Sequence, residues 1–204
     1  MTHSFDDIPE IALAWYQAGK QAVIATVVQT WGSAPRPVGS QLAISGAGEI
    51  AGSVSGGCVE GAVVVEAMEC LEDGRARILD YGVTNDEAFA VGLACGGEIR
   101  VMVEPVGVAV APEMLQELVA ARKARRPMAY LVNVDTWQRR FADASDVEMG
   151  AAVSARFRSD KSGFEDQVFV GIHNPPLRMA VVGAVHIAQA LVPMARIAGF
   201  DPII

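Results

Sequence analysis

The stretch Gly52-Ser53-Val54-Ser55-Gly56-Gly57-Cys58-Val59-Glu60-Gly61 constrains this chain more than any other. Glycine at this density lets a backbone turn sharply and come close to a neighbour. An apolar helix is predicted directly afterwards, over 59–71, with Val63, Ala67, Met68 and Leu71 on or near one face. Where a turn opens a helix, the first N–H groups lack intrahelical partners and point at whatever sits there. A shorter copy of the same idea, Cys95-Gly96-Gly97, precedes an apolar strand. The two glycine–cysteine turns are read as one site, held together by an N-terminal domain.

The elements before and between them fit that role. Asp6 or Asp7 caps a first helix whose apolar face carries Ile8, Ile11, Ala12, Trp15 and Tyr16. Residues 22–28 (AVIATVV) read as a buried strand. A rigid loop follows, Thr30-Trp31-Gly32-Ser33-Ala34-Pro35-Arg36-Pro37-Val38-Gly39-Ser40. Strands are predicted at 41–45 and 49–54, joined by a Gly46-Ala47-Gly48 hairpin turn, and again at 77–80 and 99–103. Residues 81–94 are read as irregular or as a short helix. The order implies a compact α/β domain with a mixed sheet over 1–107.

A connecting α/β region, 108–176, comes next. It holds a helix from Pro112 to about Arg126, a strand at 128–134, a helix to about Phe157 started by a Ser145-x-x-Glu148 capping box, and a strand at 168–172. The basic residues that gather at the end of the first of these helices suit its dipole and require no ligand. From 177 the chain reads as a buried strand (RMAVV, 178–182), the turn Gly183-Ala184-Val185-His186-Ile187-Ala188, a helix to Ile197 and a second strand from Asp201. This is the β-α-β opening of a Rossmann-like, dinucleotide-binding domain. Val185 stands where the fingerprint has its middle glycine, which counts against NAD or FAD. One strand, one helix and four residues cannot cover a doubly wound sheet. The expectation is a truncated domain, or a unit that packs on the first domain or on another subunit, and hence a homo-oligomer.

Bulk properties narrow the function. A formal charge of -8 argues against a general nucleic-acid binder, which needs a basic face for phosphates. Cys58, Cys70 and Cys95 are too few for a disulfide framework, and the N-terminus has neither the basic nor the apolar segment of a signal peptide. No apolar run is long enough to span a membrane. A cytoplasmic protein is expected. His3, His173 and His186 are scattered and no CxxC is present, so zinc is poorly supported; no GxSxG marks a hydrolase.

The site chemistry rests on few residues. Cys58 precedes a helix, an environment that makes a thiolate more available, and Cys95 sits in a similar turn. Cys70 falls inside the helix and reads as a small core residue. Ser33 and Arg36 can reach an anion, Arg36 by fork-like pairing; an ordinary structured loop explains them equally well. Glu60 either caps its own helix or contacts the ligand. The favoured ligand is an anion with a soft or sulfur-bearing centre. A pterin–metal cofactor fits, and so does a nucleotide or a simple phosphate.

Residues 25–39 (ATVVQTWGSAPRPVG), 52–61 (GSVSGGCVEG) and 92–97 (GLACGG) resemble the signature blocks of the XdhC/CoxI family, and 183–189 (GAVHIAQ) resembles the block opening that family's C-terminal Rossmann-like domain. The resemblance implies an accessory protein, not an enzyme in its own right, that binds molybdenum cofactor (molybdopterin) as cargo. It would support sulfuration of the cofactor and its insertion into a xanthine dehydrogenase-type molybdoenzyme, with a cysteine desulfurase as a further partner. It also implies Cys58 and Cys95 as thiolates near the cofactor. Gly56, Gly57, Gly96, Gly97, Arg36, Ser33, Ser55 and Glu60 complete the expected site, and Gly183 and His186 would be a nucleotide site. The alternatives are a dinucleotide-dependent oxidoreductase and a non-catalytic assembly subunit.

Overall fold

The computed structural model describes residues 7–82, 97–183 and 185–204. Its centre is strand β1 (Ala22–Trp31), whose first seven residues are all buried. β1 is apolar on both faces because both are covered. Val23, Ala25 and Val27 meet Val63, Ala67 and Cys70 of helix α2 (Glu60–Asp73). Ala22 and Ile24 face helix α1 (Ile8–Gln17) and helix α3 (Pro112–Lys123), through Ile8, Ala12, Leu115 and Leu118.

β1 pairs with β2 (Gln41–Ser45) and β5 (Glu98–Pro105), and β3 (Ile50–Gly52) and β4 (Arg77–Tyr81) complete a five-stranded sheet in the order β3-β2-β1-β5-β4. Every pairing is antiparallel. The expected mixed sheet is therefore corrected: β1 returns to β2 through the 32–40 loop, β2 to β3 through a short turn, and β4 and β5 also pair antiparallel. The register slips between Val27 and Gln29. Past this irregularity β1 runs out into the 31–40 loop.

A second, four-stranded antiparallel sheet has the order β7-β6-β9-β8, from β6 (Met128–Asn133), β7 (Arg139–Ala142), β8 (Gly163–Glu165) and β9 (Val168–His173). Val132 and Phe169 of this sheet pack on Val28 and Met102 of the first. Its other face, through Ala129, Leu131 and Val170, receives Val153 of helix α4 (Gly150–Ser159). The expected Ser145–Glu148 capping box does not form. The Asp146 carboxylate accepts the N–H of Glu148 (3.1 Å) and of Met149 (2.8 Å) instead, so the acid next to the expected serine makes the turn.

Strands β10 (Arg178–Ala180) and β11 (Asp201–Ile203) are parallel, with helix α5 (His186–Ile197) between them. The 178–182 segment is not the buried strand expected from its composition. Arg178 and Ala180 are exposed and Val182 is 100% exposed, because the described residues supply a single strand neighbour and little cover. Arg125, at the end of α3, holds this unit by donating to Asp201 Oδ2 and to the Pro176 carbonyl, both at 2.7 Å. No helix among the described residues is long and apolar enough to cross a membrane. Residues 83–94, read above as irregular or a short helix, lie outside the described residues.

Candidate functional site

The glycine turn between β3 and α2 is organised around a carboxylate from its own chain. Gly56 and Gly57 take positive φ values of +75° and +112°, which a side chain would strain. That conformation folds the turn over Glu60, the first residue of α2. Glu60 Oε1 accepts from Ser53 Oγ (2.6 Å), Ser55 N (2.9 Å) and Val54 N (3.2 Å). Glu60 Oε2 accepts from Gly57 N (2.9 Å) and from the Ser55 hydroxyl. The hydroxyls are relays: Ser53 Oγ accepts from Gly56 N at 2.8 Å, and Ser55 Oγ from Val59 N at 2.9 Å. Burial pushes the Glu60 carboxyl up, but the hydroxyls of Ser53 and Ser55 and the Ser55 amide outweigh it and hold its pKa at about 2.

The expectation that this turn offers its amides to a ligand is corrected to that extent. The amides of Val54, Ser55 and Gly57 are spent on Glu60, and those of Gly56 and Val59 on the two serines. The sequence left Glu60 between cap and ligand contact; the structure shows the internal acceptor.

Cys58 is half-buried between these anchored amides and packs, with Ala34, against the core cluster on the α2 side of β1. Cys70 lies in the same core, fully buried, and burial pushes its thiol up to about 11. It is the inert core cysteine expected from its place in the helix.

The 31–40 loop and the turn before β5 close on this place. A Cβ added at Gly97 would lie 2.9 Å from the Ser33 carbonyl carbon and 3.0 Å from Ala34 N, so the two backbones are in direct contact. A Cβ at Gly56 would lie 3.8 Å from Pro35 Cβ. Three separated sequence blocks thus meet at one end of the first sheet. Ser33 is exposed and Arg36 half-buried. The Arg36 Nε is buried and has no hydrogen-bond partner among the described residues, a donor without an acceptor at the meeting point of the loops. Cys95 and Gly96 lie outside the described residues.

Gly183 and His186 sit on a different element, the β10–α5 turn. Gly183 has φ +98°, Val185 is the N-cap residue, and both Gly183 and His186 are exposed. Among the described residues no group of three or more His, Cys, Asp or Glu side chains could hold a metal ion.

Sequence reasoning missed a buried polar cluster between the sheets. Glu104 on β5 accepts from Arg139 Nε (2.6 Å) and Tyr130 Oη (3.2 Å), and Arg139 also donates to the Trp137 carbonyl while lying over its ring. Burial pushes Glu104 up, against the pull of Arg139. A small, partly open space of about 20 Å³ adjoins Glu104, Tyr130, Gln41 and His173, enough for one water. The one signal in the sequence was a glutamate directly after the apolar run Val101-Met102-Val103.

The fold and site define an α/β protein in which a glycine turn, a half-buried thiol and an arginine loop gather at the end of an antiparallel sheet. The family model described as the XdhC and CoxI family matches residues 15–82 of the chain. It is 29% identical over 201 residues to the molybdenum cofactor insertion chaperone PaoD of Escherichia coli (strain K12), a match covering 98% of this chain and 58% of that protein. A protein of Bacillus subtilis (strain 168) described as a probable xanthine dehydrogenase subunit is 30% identical over 89 residues, 43% of this chain and 27% of that one. A crystal structure described as a xanthine dehydrogenase from Bacillus halodurans superposes with a TM-score of 0.75 at 22% identity, covering 98% of this chain and 61% of the other. That likeness is one of fold. The chain spans less than two thirds of the length of each of these relatives.

Proposed function

We propose that this chain binds molybdenum cofactor as cargo and supports its sulfuration and its insertion into a xanthine dehydrogenase-type molybdoenzyme. The observation that carries the reading is the meeting of the Ser33–Arg36 loop, the Gly97 turn and the Cys58 turn, in a chain similar over 98% of its length to a molybdenum cofactor insertion chaperone. Arg36 and Ser33 supply donors for the phosphate end of a molybdopterin. Cys58, with Cys95 from the neighbouring turn, supplies a soft sulfur ligand for the metal end. Gly56, Gly57, Gly96 and Gly97 let backbone come close to the flat pterin, and Ser55 and Glu60 hold the turn beneath it.

In this reading the protein is a cytoplasmic accessory protein and works as a homo-oligomer, with a cysteine desulfurase as the sulfur source. Residues 1–107 form the family's N-terminal domain and 108–176 connect it to 177–204, the start of a Rossmann-like domain carrying Gly183 and His186. The test is reconstitution. A cofactor-free xanthine dehydrogenase-type enzyme is given molybdenum cofactor with or without this protein, and recovery of activity is followed. The protein should speed recovery, and Cys58→Ala or Cys95→Ala should remove the gain. Equal recovery with and without the folded protein rejects the reading.

A further inference from the structure

We infer that Glu60 is a positioning residue for Cys58, acting through the hydrogen bonds that both of its carboxylate oxygens accept. The inference deepens the proposed cargo site and rests on that reading for its consequence, though not for its test. Both residues flanking Cys58 are tied to one pair of side chains: Gly57 N donates to Glu60 Oε2 at 2.9 Å, and Val59 N donates to Ser55 Oγ at 2.9 Å. The Ser55 hydroxyl hydrogen in turn goes to Glu60 Oε2. Cys58 is therefore bracketed by two amides whose positions trace back to the same carboxylate oxygen.

The direction of every hydrogen bond follows from the donors. Backbone N–H groups can only donate, and each serine oxygen already accepts an amide, so its own hydrogen points at Glu60. Both carboxylate oxygens receive donors and neither has a hydrogen to give. An amide of the same shape cannot take this place, because its NH2 group would face either Gly57 N and the Ser55 hydroxyl, or Ser53, Val54 and Ser55. A role in filling space would be met equally by glutamine. A role in fixing the turn would not.

The experiment is alkylation of the native protein by iodoacetamide at neutral pH, with the rate at each cysteine read by peptide mass spectrometry. Buried Cys70 reports whether the protein stays folded. Glu60→Gln and Glu60→Ala should each change the Cys58 rate about tenfold or more, while Cys70 stays protected. Where Glu60→Gln exposes Cys70, the serines decide. Ser55→Ala should change the Cys58 rate more than Ser53→Ala, because Ser53 Oγ holds Gly56 and touches neither flank of Cys58. A Cys58 rate in Glu60→Gln within about twofold of wild type, or equal effects of the two serine variants, overturns the inference. Pterin retained by each variant is measured in parallel. Absence of pterin in wild type counts against the cargo reading alone, since the thiol rates involve no cofactor.

Discussion

At Gly97 the contact between turns leaves no room for a single methyl group. A Cβ there would meet the backbone of Ser33 and Ala34 at 2.9–3.0 Å, and backbone cannot swing aside as a flexible side chain would. Gly97→Ala should cost about 1–3 kcal/mol by overpacking, read from urea unfolding; unchanged stability would mean the two turns are not in contact. His173, on β9, carries the clearest pH dependence. Burial first and the Arg122 charge second hold its imidazole down to about 3, against about 6.5 in an unfolded chain. Between those values the unfolded chain binds a proton that the folded chain does not, so stability is full above pH 6.5 and is lost as pH falls toward 3, by up to about 1.4 kcal/mol per pH unit. Glu60 adds loss of the same sign lower down, as pH falls from the ordinary carboxylate range toward 2. His173→Phe should flatten the slope of unfolding free energy between pH 6.5 and 5, and an unchanged slope contradicts this assignment. At this scale the sequence made Cys70 legible, because its place on the apolar side of a helix is enough to bury it. Glu60 was not legible: its role depends on the turn folding back over the start of its own helix.

Among the elements, β1, β2 and α2 were readable from apolar runs and helical spacing, since each buries a face the pattern announces; α5 was readable as a helix although Ile187, Met194 and Ile197 on it are exposed. β7 and β8 were not, because RRFA and GFE are short and half-buried, and tertiary pairing with β6 and β9 makes them strands. The capping box failed for a related reason, as Asp146 takes the Glu148 amide and Asp143 the Ser145 amide. β7 also carries Arg139 to the buried Glu104 of β5, across the junction of the two sheets. Removing one partner of such a pair strands a buried charge, so Arg139→Ala should cost about 3–5 kcal/mol. Replacing both, as Glu104→Leu with Arg139→Leu, should cost less than the single change. The folded-state pKa of Glu104 is raised, so the penalty of losing Arg139 should grow as pH rises above the ordinary carboxylate range. Denaturant midpoints of the three proteins at two pH values check the order, and a double variant weaker than Arg139→Ala contradicts it.

For the molecule as a whole, the two antiparallel sheets share buried side chains. Ile24 and Val106 lie in one cluster with Leu115 and Met128, and Val28 and Met102 in another with Val132 and Phe169. The 108–176 region is built onto the face of the first sheet opposite α2, which leaves one end of that sheet to the glycine and arginine turns. Glycine density was enough to read the two glycine–cysteine turns as one site, but the close approach of Gly97 to the Ser33 and Ala34 backbone was not legible, because it depends on the antiparallel pairing of β1 with β5. The apolar side chains of Val182, Val185, Ile187 and Ile197, all exposed around α5, show why composition alone made 178–182 look like a core strand. The most direct test of the cargo site is cofactor retention. Purified protein is mixed with molybdenum cofactor and freed of unbound ligand by gel filtration, and bound pterin is measured by fluorescence after oxidation, in wild type and in Arg36→Ala, Cys58→Ala and Cys95→Ala. Near-stoichiometric pterin in wild type, with marked loss in the variants, is the predicted result; folded wild-type protein that retains no pterin, or variants that retain it undiminished, would contradict the account.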